Sequence, residues 1–213
     1  MEYSSNLLLE EVVNSYLTWE LSKSDIRKLI KSKTKQEEIE ELILKRLSSL
    51  KKTPLKNKLE QIKALSTDRY NLFINCRWRK ENYPISDLGT VLPKCGDLPL
   101  EVITQPFPKV IEYVKDKLKK TNQEDSIKYV AELVRISRIL RITPPIVIEP
   151  GYLQRNVKNL EEYYKIQWNS KEIFKGRGYI EDGNHRAIAI VIAYEIDSIP
   201  CYVGRHLTTV HSK

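Results

Sequence analysis

Five consecutive residues, Asp182, Gly183, Asn184, His185 and Arg186, bring a carboxylate, a glycine, an amide, an imidazole and a guanidinium together just before an apolar run. At the start of a helix such residues meet unpaired backbone N–H groups and the positive end of the helix dipole, which attract anions. Gly183 lets the backbone approach a ligand closely and adopt a turn that other residues resist. Arg186 can grip a phosphate through paired hydrogen bonds, and His185 adds a donor whose charge responds to pH near neutrality. Gly183, Asn184, His185 and Arg186 together have the chemistry of a phosphate cradle. Asp182 departs from it, because its charge would repel phosphate unless it carries a metal ion, orients His185 or Arg186, or takes a proton from a nucleophile. A simpler role accounts for the same residues: Asp182 caps the helix and pairs with Arg186. Glu181 and Asp182 could also hold a metal ion, but adjacent residues of a strand point to opposite faces.

Elements that could position this turn surround it. Residues 178–181 have the character of a strand, and Asp182-Gly183 that of a turn. The helix expected over 184–195 carries Ala187, Ile188, Ala189, Ile190, Val191, Ile192 and Ala193, apolar on every side, so it must be buried nearly all round and its N-terminus held firmly. A strand at 199–203 follows. Upstream, the pattern predicts a strand at 98–103, a basic helix over 110–120, a helix over 126–140 and a buried strand at 146–148 after Pro144-Pro145. An excursion over 151–175 contains Tyr163, Tyr164 and Trp168, more readily packing residues than a lid. The order β-α-α-β-β-α-β describes a small α/β or α+β domain.

These segments resemble the ParB/sulfiredoxin family over residues 97–204. The resemblance lies in Leu98-Pro99-Leu100-Glu101-Val102-Ile103 with Gln105-Pro106-Phe107-Pro108, in Pro144-Pro145-Ile146-Val147-Ile148, in Asp182 to Ala187, and in Ile199-Pro200-Cys201-Tyr202-Val203. It implies an α+β fold, a small mixed sheet with packed helices, and a loop that binds nucleotide phosphates (ATP, ADP or CTP, with Mg²⁺). The family includes DNA-partitioning proteins, sulfiredoxins and ADP- or ATP-dependent serine kinases, and a nuclease activity is often attached to its name. Sulfiredoxins place their catalytic cysteine where Asn184 stands, which argues against that chemistry. The kinase-like members carry Asp-Gly-His-His-Arg, and by that likeness Asp182 is the catalytic or metal-side residue, with His185 and Arg186 on the phosphates. Lys115 matches a nucleotide-contacting lysine, whereas Gln105 replaces a phosphate-contacting arginine.

Ahead of this domain (97–213) lie a helical domain at 1–66 and a basic junction at 67–96. Apolar residues at helical spacing predict four helices between Ser5 and Leu65, with breaks near 22–24, 33–36 and 51–53; Ser24 is a candidate cap and Pro54 a first-turn proline. The turn at 32–35 suits either a helix-turn-helix presenting Lys45 and Arg46 to DNA or an ordinary helical bundle. Residues 71–80 read as a strand-like run in which Arg77, Trp78 and Arg79 offer charge and a stacking face to nucleic acid, or a half-buried tryptophan between solvated arginines.

Composition limits the function classes. The chain has 36 basic and 28 acidic residues among 213, a net charge of +8 that suits a polyanionic partner such as DNA without a histone-like excess. No run approaches the roughly 18 apolar residues of a membrane span, and the first residues do not read as a secretion signal, so a cytoplasmic protein with no membrane partner is expected. Three cysteines, Cys76, Cys95 and Cys201, without C-x-x-C spacing argue for inert thiols. Few glycines, one methionine and abundant Lys, Glu and Ile resemble a heat-adapted composition. The reading at this point is a ParB-like nucleotide binder acting on or with DNA, able to dimerise; a phosphotransferase for a hydroxyl compound and a non-catalytic interaction module are the alternatives.

Overall fold

Apolar residues recur at helical spacing from Leu8 to Ile30 with no proline or glycine between them, and the chain runs through them as one helix, α1 (Glu2–Lys31). The break expected at 22–24 does not occur. Trp19, Ser22 and Ile26 are all buried, so packing on both sides of the Ser-Lys-Ser sequence outweighs its weak local preference for a turn. The computed structural model describes residues 2–32, 35–89, 105–120, 125–149 and 177–207. The strand expected at 98–103, the aromatic residues Tyr163, Tyr164 and Trp168, and Cys95 lie outside them.

Helix α2 (Gln36–Lys51) buries Ile39, Ile43, Leu47 and Leu50. Ile39 and Ile43 join Trp19 and Ile26 in one core, while Leu50 joins Val12, Val13, Tyr16 and Leu17 in another, so α2 runs back along α1. This is an antiparallel hairpin, unlike the crossed pair of a helix-turn-helix. After Pro54 comes α3 (Leu55–Leu65), whose fully buried Lys58 donates to Glu10 Oε1 at 2.6 Å and to Asn14 Oδ1 at 2.8 Å on α1.

The strand-like run expected at 71–80 is divided. Ser66 Oγ accepts from the Arg69 N–H at 3.3 Å and starts helix α4 (Thr67–Ile74), and strand β1 (Cys76–Pro84) follows after Asn75. The expected junction therefore supplies a helix and, with β2 (Leu88–Gly89), two strands of the sheet. Then come α5 (Phe107–Leu118), α6 (Asp125–Arg135), α7 (Ser137–Leu140), β3 (Ile146–Ile148), β4 (Gly178–Asp182), α8 (Asn184–Tyr194) and β5 (Ser198–His206). The single helix expected over 126–140 is interrupted at Ile136, whose φ of −100° and ψ of 23° leave the helical region.

The molecule is a mixed α/β structure in which N-terminal helices precede a five-stranded mixed sheet of order β1-β5-β3-β4-β2. Strands β1/β5 and β3/β4 pair antiparallel, β5/β3 and β4/β2 parallel. Strand alternation separates two cores. Trp78, Ile146, Ile148, Tyr179 and Tyr202 meet α1, α3 and α4 on one face; Tyr83, Val147, Ile180, Ile199, Cys201 and Val203 meet α5 to α8 on the other. The sheet curls toward this second face. Tyr83 on β1 reaches Gly178 on β4 across two intervening strands, and a Cβ at Gly178 would lie 2.7 Å from the Tyr83 hydroxyl. Among the described residues no helix is long and apolar enough to cross a membrane.

Candidate functional site

The turn at 182–186 stands between β4 and α8, where the sequence places it. Gly183 adopts φ 85°, ψ 32°, a left-handed conformation that side-chain-bearing residues resist, and its carbonyl accepts the first helical bond from Ala187 N–H at 2.8 Å. Asn184, Arg186 and the run from Ala187 to Val191 are buried, so the helix start is fixed from behind. The N–H groups of Asn184, His185 and Arg186 precede the first helical bond and form an anion-attracting end.

Beneath the turn lies Arg186. It is 3% exposed, and Nη1 donates to the Thr143 carbonyl at 2.6 Å and to Ser15 Oγ at 3.3 Å, while Nη2 donates to Asp182 Oδ2 at 2.5 Å. Its guanidinium carbon lies 5.0 Å from the centre of the Trp19 ring, a cation–π contact. A Cβ at Gly183 would come within 2.7 Å of this guanidinium, so the glycine also leaves the space that Arg186 fills. Arg186 is thus a strut joining α1, the 143–144 segment and the β4–α8 turn. The outward phosphate clamp expected from sequence is corrected: the charge is present, but its hydrogen bonds point inward. Burial pulls the Arg186 pKa down, and the charge of Asp182 opposes that pull.

Asp182 and Glu181 do not diverge as neighbours in a regular strand would. The β3/β4 register shifts from Ile146↔Asp182 to Val147↔Ile180, leaving Glu181 as an extra residue in a bulge. Both carboxylates then reach Arg69 of α4, whose Nη2 lies 3.1 Å from Glu181 Oε1 and whose Nη1 lies 3.7 Å from Asp182 Oδ1. Burial lowers the Arg69 pKa, but the charges of Glu181 and Asp182 outweigh it and the net direction is up. Arg69 also lies over the Tyr16 ring at 4.9 Å. The cation between these two acids is a guanidinium, and among the described residues no group of three or more His, Cys, Asp or Glu side chains could hold a metal. The donor set at Asp182 therefore does not fit a directly bound Mg²⁺.

Two further side chains complete the turn. His185 stacks edge-on against Tyr129 of α6 with ring centroids 5.3 Å apart. Burial pushes the Tyr129 hydroxyl up to about 12, with Arg186 and Arg27 drawing it down and Asp182 raising it. Asn184 is 6% exposed, and its Oδ1 has no hydrogen-bond partner among the described residues. Such an orphaned acceptor costs about 1–3 kcal/mol until a donor reaches it. A ribose hydroxyl or a metal-bound water supplies the right chemistry.

Of the other residues singled out by sequence, Lys115 stands half-exposed on α5, and among the described residues no hydrogen bond or ion pair joins it to the turn. Trp78 is corrected: it is buried, its Nε1–H donates to the Phe73 carbonyl at 2.9 Å, and its ring packs edge-on against Phe73, leaving no face for a base. Arg77 is exposed, and Arg79 belongs to an ion-pair group with Glu81 and Glu149. Lys45 is exposed and Arg46 half-exposed on α2.

Sequence reasoning missed Ser15, Tyr16, Trp19, Arg69 and Thr143. None lies in a motif; only the helical spacing of Tyr16 and the Ser66 cap three residues before Arg69 hinted at their places. No family model matches this chain, and neither a curated protein nor a solved structure matches it. Fold and site together define a mixed α/β protein with an anion-attracting helix start braced by two arginines.

Proposed function

We propose that the protein binds a nucleotide through its phosphates at the start of α8, in the manner of ParB/sulfiredoxin-like proteins, and acts on or with DNA. The observation that carries this reading is the start of α8 itself. A left-handed Gly183 opens a buried helix whose first N–H groups have no helical partner, beside an orphaned Asn184 Oδ1. Gly183, Asn184 and His185 are the contacts; Arg186 and Asp182 hold the turn in shape. Mg²⁺ would arrive with the nucleotide and be held chiefly by its phosphates.

The phosphotransferase alternative requires Asp182 to take a proton from a hydroxyl, yet both its oxygens face guanidinium groups. Binding makes no such demand. The test is thermal melting with ATP, ADP, CTP and GTP, with and without Mg²⁺, on the protein and on His185→Glu. A carboxylate in the first helical turn favours the helix but repels phosphate. The expected result is a raised Tm with at least one nucleotide, about 2.7 kcal/mol of stabilisation at a hundredfold excess over Kd, abolished in His185→Glu. No shift with any nucleotide would end the proposal.

A further inference from the structure

On the sheet face that bears Tyr83 and Val203, the end of β1, β5 and β3 carries arginines, and among the described residues no apolar side chain covers them. Arg77 and Arg79 lie on this face of β1, Arg205 on β5, and Arg177 immediately before β4. They surround two carboxylates, Glu149 just past β3 and Glu81 on β1. Arg79 hydrogen bonds to Glu149 through Nη2 and to Glu81 through Nε at 2.7 Å. Arg205 Nε donates to the other Glu149 oxygen at 2.5 Å, and Arg177 donates to the Tyr83 hydroxyl at 3.3 Å with Glu81 3.7 Å away.

Glu149 is only 7% exposed, whereas the Arg205 and Arg177 side chains are 66% and 58% exposed. The acids are consumed inside the group and the cations face outward. Each guanidinium carries five donors, and Arg205 spends only Nε on a carboxylate. Arg77 and Arg205 stand directly opposite each other in the β1/β5 register, and among the described residues no carboxylate pairs with Arg77. Like charges opposite one another across two strands destabilise a sheet, so this pair gains from an external anion. Four arginines against two glutamates leave an excess of two positive charges, on a protein of net charge +8.

We propose that this arginine face is where the protein meets nucleic acid, gripping the phosphate backbone through Arg77, Arg205, Arg177 and Arg79, with Glu149 and Glu81 holding the guanidinium groups in position. Arginine suits this task because its planar fork matches phosphate oxygens in pairs. The inference rests on the DNA part of the function proposed above and replaces Trp78, Lys45 and Arg46 with a different surface. It assigns no base contacts, so affinity should be independent of sequence and steeply dependent on salt.

The test is fluorescence anisotropy with a short labelled DNA duplex, an RNA duplex of the same sequence and labelled polyglutamate, across a salt series. Arg77→Ala/Arg205→Ala should weaken DNA binding about tenfold and make the slope of log K against log salt shallower by about 2. Arg77→Lys/Arg205→Lys should restore the salt slope and part of the affinity, short of the paired bonds of the guanidinium, which separates lost charge from lost fold. Lys109→Ala/Lys119→Ala, removing two exposed charges from α5 and the residue that follows it, should leave it unchanged. DNA affinity unaffected by the arginine pair, equal loss in the lysine pair, or equal binding of polyglutamate would overturn the proposal. Weaker binding of the RNA duplex assigns the surface to DNA; equal binding assigns it to the shared backbone. Nucleotide-induced melting shifts should persist in the arginine variant, so failure here and failure of the nucleotide site are told apart.

Discussion

Arg186 Nη2 donates a 2.5 Å hydrogen bond to Asp182 Oδ2 across a turn whose glycine has no side chain to obstruct it. The pair closes the β4–α8 connection from the inside, and the remaining guanidinium bonds carry the restraint to Ser15 and Thr143. Removing the guanidinium would leave Asp182 Oδ2 and the Thr143 carbonyl without their donor, with only Arg69 left on the carboxylate, so Arg186→Ala should cost about 3 kcal/mol, the low end for a broken buried pair. Chemical denaturation measures this, and a loss under 1 kcal/mol would show that the strut is idle.

Gly183→Ala is expected to be destabilising for two separable reasons. A left-handed φ costs a residue with a Cβ about 1–2 kcal/mol, and that Cβ would meet the Arg186 guanidinium at 2.7 Å. If the clash with the guanidinium contributes, Gly183→Ala in an Arg186→Ala background should cost the strain alone; the full penalty there would contradict the steric part.

The continuity of α1 makes Ser24 an ordinary exposed helical residue. Ser24→Ala should therefore be neutral or stabilise by a few tenths of a kcal/mol, roughly the difference in helix propensity. A capping serine would instead lose about 1 kcal/mol. Ser22, buried with an Oγ that has no partner among the described residues, should gain about 1 kcal/mol on replacement by alanine, from removal of an unsatisfied hydroxyl. Melting of the two variants decides both points.

Glu149 gives an acid limb to the stability profile. Burial alone would raise its pKa, but the hydrogen bonds and charges of Arg79 and Arg205 outweigh burial and hold it below the ordinary 4.5. A depressed carboxyl contributes stability above its unfolded value, lost as pH falls through the folded one. The wild type should accordingly weaken below about pH 4.5, and Glu149→Gln should be less stable at pH 7 with a flatter acid limb. Denaturant midpoints between pH 3 and 7 provide the check.

At the alkaline end the sign is reversed. Burial pushes the Cys76 and Cys201 thiols up to about 12, from an ordinary value of 9.0, with Glu181 and Glu81 respectively adding to it and Arg79 opposing at Cys201. Unfolding releases both to ionise earlier, so their contribution is fully present below pH 9 and is lost as pH rises toward 12. Both thiols should resist iodoacetamide at pH 8 in the native protein and react once unfolded. Peptide mapping that finds either labelled at the rate of a free thiol would refute the burial argument.

Local signals in the sequence were sufficient for several elements. Gly183 ahead of an all-apolar run marked the helix start, and Pro144-Pro145 before three β-branched residues marked β3, because turn and burial preferences act over a few residues. The limits of α1 and α4 were not readable in the same way. Ser22 and Ser24 suggest a turn by themselves, and only the core formed by Trp19 and Ile26 with α2 and the sheet makes the unbroken helix cheaper. Strand β1 was similarly obscured, since its partner β5 lies more than a hundred residues later in the chain.

The sequence by itself determined that an aspartate, a glycine, a histidine and an arginine stand at the start of a buried helix, because that follows from neighbouring residues and the helical period. The direction of their side chains was decided by tertiary structure alone. The β4 bulge turns Glu181 and Asp182 to one side, α4 delivers Arg69 between them, and α1 with the Thr143 carbonyl draws Arg186 inward. Each of these partners is distant in sequence, and a charged group takes whichever geometry offers it the most hydrogen bonds in a site from which water is excluded.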